Sequence, residues 1–113
     1  MIHVSLKRGD ASEIVSGTLV GHAANGEYGC DVVCAAVSSL AFNVVNSIET
    51  LAGFSPLVEL DQEEGGYLHF EILGELTNKQ KQTTQILLES FLLGLIAIEE
   101  EHSKFIRIEI LSK

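Results

Sequence analysis

The stretch from Val32 to Ala52 limits the fold more than any other part of the chain. Its apolar residues Val33, Ala36, Val37, Leu40, Ala41, Val44, Val45, Ile48, Leu51 and Ala52 recur at helical spacing but cover more than one face. A helix with one apolar stripe can lie on a core, whereas one that is apolar on several sides has to be enclosed. This helix therefore needs a sheet on one side and a second helix or another subunit on the other. Gly53 follows as a left-handed C-terminal cap.

The remaining segments supply those partners. Ile2, Val4 and Leu6 alternate with His3, Ser5 and Lys7, the two-residue period of a half-buried strand. Gly9-Asp10 opens a turn, and Glu13 to His22 forms a second strand that pairs with the first as a hairpin. Gly17 and Gly21 interrupt its side-chain surface, and Gly21 can let another chain come close. Leu57 to Asp61 and Tyr67 to Ile72 form a second hairpin about Glu63-Glu64-Gly65-Gly66, with Leu68, Phe70 and Ile72 inward and Tyr67, His69 and Glu71 outward. His69 is therefore expected at the surface.

Thr77 with Gln80 fits a capping box that opens a second helix running to about Glu101. Its stripe includes Ile86, Leu87, Phe91, Leu95, Ile96 and Ile98, and the run Glu99-Glu100-Glu101 reads as a solvated end. Ile106, Ile108 and Ile110 alternate with Arg107 and Glu109 in a last strand. The order ββαββαβ predicts an α+β, two-layer sandwich with both helices packed on one face of a mixed β-sheet. Leu92, Leu93 and Ala97 are left over as apolar helix surface, which suits a homodimer.

A chain of 113 residues can bury its own core, so residues 1–113 are expected to form a single domain. Its two cysteines lie only four positions apart and do not make a disulfide framework. Strand pattern begins at Met1-Ile2-His3-Val4, and the apolar stretch Ile86 to Ile98 contains Glu89 and is too short to cross a bilayer. A cytoplasmic location is the expectation. The formal net charge of −9 disfavours nucleic acid as a direct partner and permits a basic protein.

Chemistry is concentrated in Gly21 to Ser38, GHAANGEYGCDVVCAAVS, where turn residues give way to the first helix. Asp31 is suited to the N-cap, because its carboxylate can accept from a free backbone N–H two or three residues on, or else to orienting His22 as a third member of the site. That would put Val32, Val33 and Cys34 in the first turn, where unpaired N–H groups and the helix dipole favour negative charge and suit a thiolate nucleophile. His22 stands twelve positions earlier at a strand end, and a loop can fold its ring back toward the helix. Spacing alone favours an ordinary buried cysteine and a hydrogen-bonded strand-end histidine over a reactive pair. It also admits, less readily, zinc held by His22, Cys30 and Cys34 with His3 or His69, although His-x7-Cys-x3-Cys is not a usual finger spacing.

Gly21-His22-Ala23, followed after five residues by Gly29-Cys30-Asp31-Val32-Val33-Cys34-Ala35-Ala36-Val37-Ser38, resembles the signature of the ribosomal-processing cysteine protease family, Prp. The resemblance implies a cysteine endopeptidase of Firmicutes and related bacteria. Such an enzyme removes a short N-terminal extension from large-subunit ribosomal protein 27. It implies His22 and Cys34 as catalytic dyad, with Gly21, Asp31 and Ser38 in support, Cys30 without a role, and no cofactor. The partner is then the ribosomal-protein precursor as peptide substrate, with no nucleic acid or membrane. A non-catalytic ribosome-assembly module with Cys34 buried and inert is the alternative from a different class.

Overall fold

The structure, a computed structural model, describes residues 1–21, 30–61 and 66–112, with Cys30 in its backbone only. The elements in order are β1 (Ile2–Arg8), β2 (Ile14–Val20), α1 (Cys30–Ser47) continued by a π-helical turn (Ile48–Ala52), β3 (Leu57–Asp61), β4 (Tyr67–Glu71), α2 (Asn78–Glu101) and β5 (Ile106–Ser112). This is the expected ββαββαβ order. The loop over 24–29 with its Asn25-Gly26 turn and Tyr28, and Glu63-Glu64-Gly65 of the acidic turn, lie outside the described residues.

The five strands form one mixed sheet in the order β3-β4-β2-β1-β5. β1 pairs antiparallel with β2 and parallel with β5, and β4 lies antiparallel between β2 and β3. Because side chains alternate across a strand, register fixes which residues share a face. Val4 faces Leu19 across β1 and β2, and Leu19 faces Leu68 across β2 and β4, so these side chains share the helix-covered face. Ser5, Thr18 and His69 form the neighbouring row on the helix-free face.

The core lies between that face and the two helices. α1 buries Val33, Val37, Ala41, Val44, Ile48 and Ala52 at steps of three and four, while Ala36 and Leu40 beside them are half-buried. Leu51 departs from the expected apolar girdle and is 63% exposed. The segment Asp31–Ala52, rather than Ile86 to Ile98, is the one with the length and hydropathy of a membrane span. Its buried stripe is occupied by the sheet and α2, as in the central helix of a globular core. The turn after Ser47 widens so that the Gly53 N–H donates to the Ile48 carbonyl at 3.2 Å, five residues back. Gly53 adopts the expected left-handed conformation, at φ 78°.

α2 buries Thr84, Leu88, Phe91, Leu92 and Leu95, and Phe91 meets Phe70 edge to face with ring centres 6.2 Å apart. Leu92 is therefore core, whereas Ile86 is 70% exposed and leaves the expected stripe. Gly94 packs against Leu40 of α1, since a Cβ there would sit 3.0 Å from Leu40 Cδ1. The Thr77–Gln80 capping box forms in both directions, at 3.1 and 2.9 Å.

Three α2 side chains also hold the sheet. The Gln85 amide pairs with both the N–H and the C=O of Ile14, at 2.8 and 2.9 Å. Glu89 takes a two-pronged contact from Arg8, at 2.6 and 3.1 Å. Glu99 accepts from the Ile108 N–H at 2.8 Å, so it is tied to the sheet rather than merely solvated. His69 lies on the outer face, as expected, but is half-buried. Its ring bridges Thr18 Oγ1 at 2.7 Å and Glu71 Oε1 at 3.1 Å.

Candidate active site

β2 ends at Gly21, and the backbone there has no room for a side chain. Gly21 has φ 92°, its N–H donates to the Gly66 carbonyl at 3.0 Å, and a Cβ would stand 2.6 Å from the Met1 carbonyl oxygen. Only glycine meets both conditions without strain. Gly66, itself at φ 75°, opens β4. The chain therefore leaves the sheet toward His22 at a point held from both sides by backbone. His22 itself lies outside the described residues.

Facing this exit is α1. Cys34, Ser38 and Phe42 stand at i, i+4 and i+8 on one strip of the helix, beside the buried Val37 and Ala41. Together with the ends of β2, β3 and β4 they line a groove of about 210 Å³ whose wall is mostly apolar. Gly21, Cys34 and Ser38, three of the expected site residues, meet in this groove. Cys34 is a free thiol, half-buried and packed against the core on one side while facing the groove on the other. It is accessible to a ligand, unlike a sealed core cysteine.

Asp31 is placed differently from expectation. The helix begins at Cys30, so Asp31 sits inside the first turn instead of capping it, and its side chain is exposed and off the groove lining. There a carboxylate still favours the positive end of the dipole. The same boundary puts Cys34 in the second turn. Among the described residues, the N–H groups without an intrahelical partner are then those of Cys30, Asp31 and Val32.

His3 and His69 are excluded as companions of Cys34 in a metal site, because both lie on the helix-free face of the sheet while Cys34 is on the helix side. Several groove residues were not apparent as such from the sequence: Phe42, Leu60, Asp61, Gly66 and Tyr67. The Gly65-Gly66 pair was a visible signal, but it reads as turn chemistry until β2 and β4 are known to be neighbours.

Residues 1–107 match the family described as Cysteine protease Prp. The ribosomal processing cysteine protease Prp of Bacillus subtilis (strain 168) is 36% identical over 108 residues, which are 96% of each chain. Its counterpart in Staphylococcus aureus (strain Mu50 / ATCC 700699) is also 36% identical over 108 residues, 96% of this chain and 97% of that one. Among solved structures, SMU.848 from Streptococcus mutans superposes with a TM-score of 0.89 at 39% identity, covering 100% of this chain and 96% of that chain. An essential ribosomal processing protease Prp from S. aureus, in complex with a substrate peptide, gives 0.84 at 32% identity over 97% of this chain and 99% of that chain. The non-catalytic alternative is thereby overturned, and the chain belongs to the Prp family of cysteine proteases.

Proposed function

We propose that this protease removes the N-terminal extension of the precursor of bacterial large-subunit ribosomal protein 27, with Cys34 as nucleophile and His22 as its proton acceptor. The observation that carries this reading is the half-buried, free Cys34 lining an open groove together with Gly21, the residue that hands the chain to His22. The S. aureus relatives, which bind a substrate peptide and a covalently linked product peptide, support a peptide as the occupant.

In the proposed mechanism the Cys34 sulfur attacks the scissile carbonyl carbon as thiolate, with His22 holding the thiol proton. The C–N bond then breaks, and His22 returns that proton to the leaving amine. Water hydrolyses the resulting thioester, restoring the thiol and releasing the carboxylate. The negative oxygen formed in each addition is met most economically by the unpaired N–H groups of the first turn of α1. Gly21 keeps the exit from β2 narrow, Ser38 supports the thiol side from one turn along the helix, and Asp31 acts through the helix start. The enzyme works in the cytoplasm, as a homodimer.

The test is incubation of the reduced enzyme with full-length precursor, read by mass spectrometry. A single cut that removes the extension, lost in both Cys34→Ala and His22→Ala, is the expected result. An intact precursor after prolonged incubation with the wild type would defeat the proposal.

A further inference from the structure

We propose that the free edge of β3 holds the substrate main chain by strand addition, with the outward backbone groups of Val58 and Leu60 as its hydrogen-bonding partners. This deepens the proposed function and rests on it. The direction of those groups follows from the ladder. The Ile72 N–H donates to the Val15 carbonyl at 2.9 Å, so Ile72 faces β2. In an antiparallel strand the N–H and C=O of one residue point to the same side and alternate with the next. Phe70 and Leu68 then also face β2, while Glu71, His69 and Tyr67 face β3. Their partners Leu57, Glu59 and Asp61 point back toward β4. Val58 and Leu60 are left with N–H and C=O directed away from the sheet.

The two edges of the sheet are treated differently. At β5 the outward N–H of Ile108 is occupied by the Glu99 carboxylate. At β3, among the described residues, no side chain bonds the outward groups of Val58 or Leu60. The side chains of Val58 and Leu60 lie on the helix side, opposite buried Phe70 and Leu68, yet they are 37% and 49% exposed because the helices do not reach over β3. The strand carries the charges of Glu59 and Asp61, but its helix-side residues Val58 and Leu60 are apolar and uncovered, a surface that soluble proteins ordinarily protect. Here it runs straight into the groove, since Leu60 and Asp61 line it together with Cys34. That continuity selects the occupant. An extended peptide with its scissile bond at Cys34 has its flanking residues alongside β3, bonding at every second residue and placing alternate side chains beside Phe42 and Leu60.

Proline substitution tests this without touching the ladder, because an outward-facing N–H on an edge strand can be removed while the strand keeps its own pairing. Val58→Pro and Leu60→Pro should each raise KM for a peptide substrate by about fivefold to tenfold, the effect of losing one main-chain hydrogen bond, with kcat little changed. Ile110→Pro, which removes an outward N–H from the opposite edge, should leave KM as it was. Replacing single amides of the peptide by esters should weaken cleavage at alternate positions only, and this holds even where a proline variant fails to fold. Unchanged KM in both β3 variants with a uniform response to the esters overturns the proposal. A shift in sedimentation with unchanged KM would also overturn it, assigning the edge to a second copy of the chain. If Cys34→Ala still cleaves, it is the underlying assignment of the nucleophile that fails.

Discussion

At the scale of single residues, the site depends on backbone freedom as much as on reactive side chains. Gly21 combines a left-handed φ of 92° with a Cβ position only 2.6 Å from a carbonyl oxygen, so Gly21→Ala has to move either Met1 or the start of the chain toward His22. Strain of this kind costs about 1–3 kcal/mol. The thermal midpoint is expected to fall, and kcat/KM to fall further than the lost stability explains, measured on the folded fraction. The sequence pointed to Gly21 as a place for close approach and to the β1–β2 hairpin that brings Met1 near, but its other partner, Gly66, opens β4, whose adjacency to β2 no local pattern contains. Thr84 makes the complementary case. Its hydroxyl is fully buried in α2 with no hydrogen-bond partner among the described residues. Thr84→Val keeps the shape and removes the unpaired polar group, so a gain of about 1 kcal/mol is expected in denaturant unfolding. Destabilisation by a similar amount would show that the hydroxyl is bonded in solution.

The elements were largely legible because each carries a period. Alternation in Ile2–Leu6, the capping box at Thr77 and Gln80, and Gly53 after an apolar run all report local geometry, and all appear where expected. What could not be read is how α2 grips the sheet. Gln85, Glu89 and Glu99 look like ordinary polar positions on a helix, yet Gln85 and Glu89 reach strands distant in sequence and Glu99 the strand that follows α2. The Asp31 placement failed for a related reason. An acidic residue before an apolar run fits either the cap or the first turn, and the choice is made by tertiary packing. Among these contacts the Arg8–Glu89 pair has a defined pH signature. The Arg8 hydrogen bond holds the Glu89 carboxyl below its usual range against a smaller opposing effect of burial, and Arg8 is correspondingly raised. A depressed carboxyl contributes stability above its unfolded pKa and loses it as pH falls through the folded value. With Glu89 44% exposed, solvent screening limits the pair to about 0.2–1 kcal/mol. Glu89→Gln should therefore be slightly less stable than wild type near neutral pH and equal to it in strong acid. A difference that persists unchanged at low pH would exclude the ion pair as its source.

For the whole molecule, surface apolarity and charge point to different partners. Leu93 is 68% and Ile86 70% exposed at a spacing of seven on α2, a stripe directed away from this chain's own core. A homodimer that covers this stripe should dissociate on Leu93→Glu, which places a charge in the buried seam. Sedimentation showing a wild-type dimer and a variant monomer of unchanged fold is the expected outcome, and a wild-type monomer at all concentrations would reject it. The charge acts at longer range. If the substrate is the cationic ribosomal-protein precursor proposed above, a chain carrying −9 should attract it before contact, and such steering weakens as salt screens it. The groove lining is mostly apolar and should bind a short peptide almost independently of ionic strength. Raising salt from about 0.05 M to about 0.5 M, across which the Debye length shortens severalfold, should lower kcat/KM for the full precursor severalfold while leaving a short neutral peptide nearly unaffected. Equal salt dependence for the two substrates would place the effect at the catalytic groove itself, and the acidic surface would then have no part in recruiting the substrate.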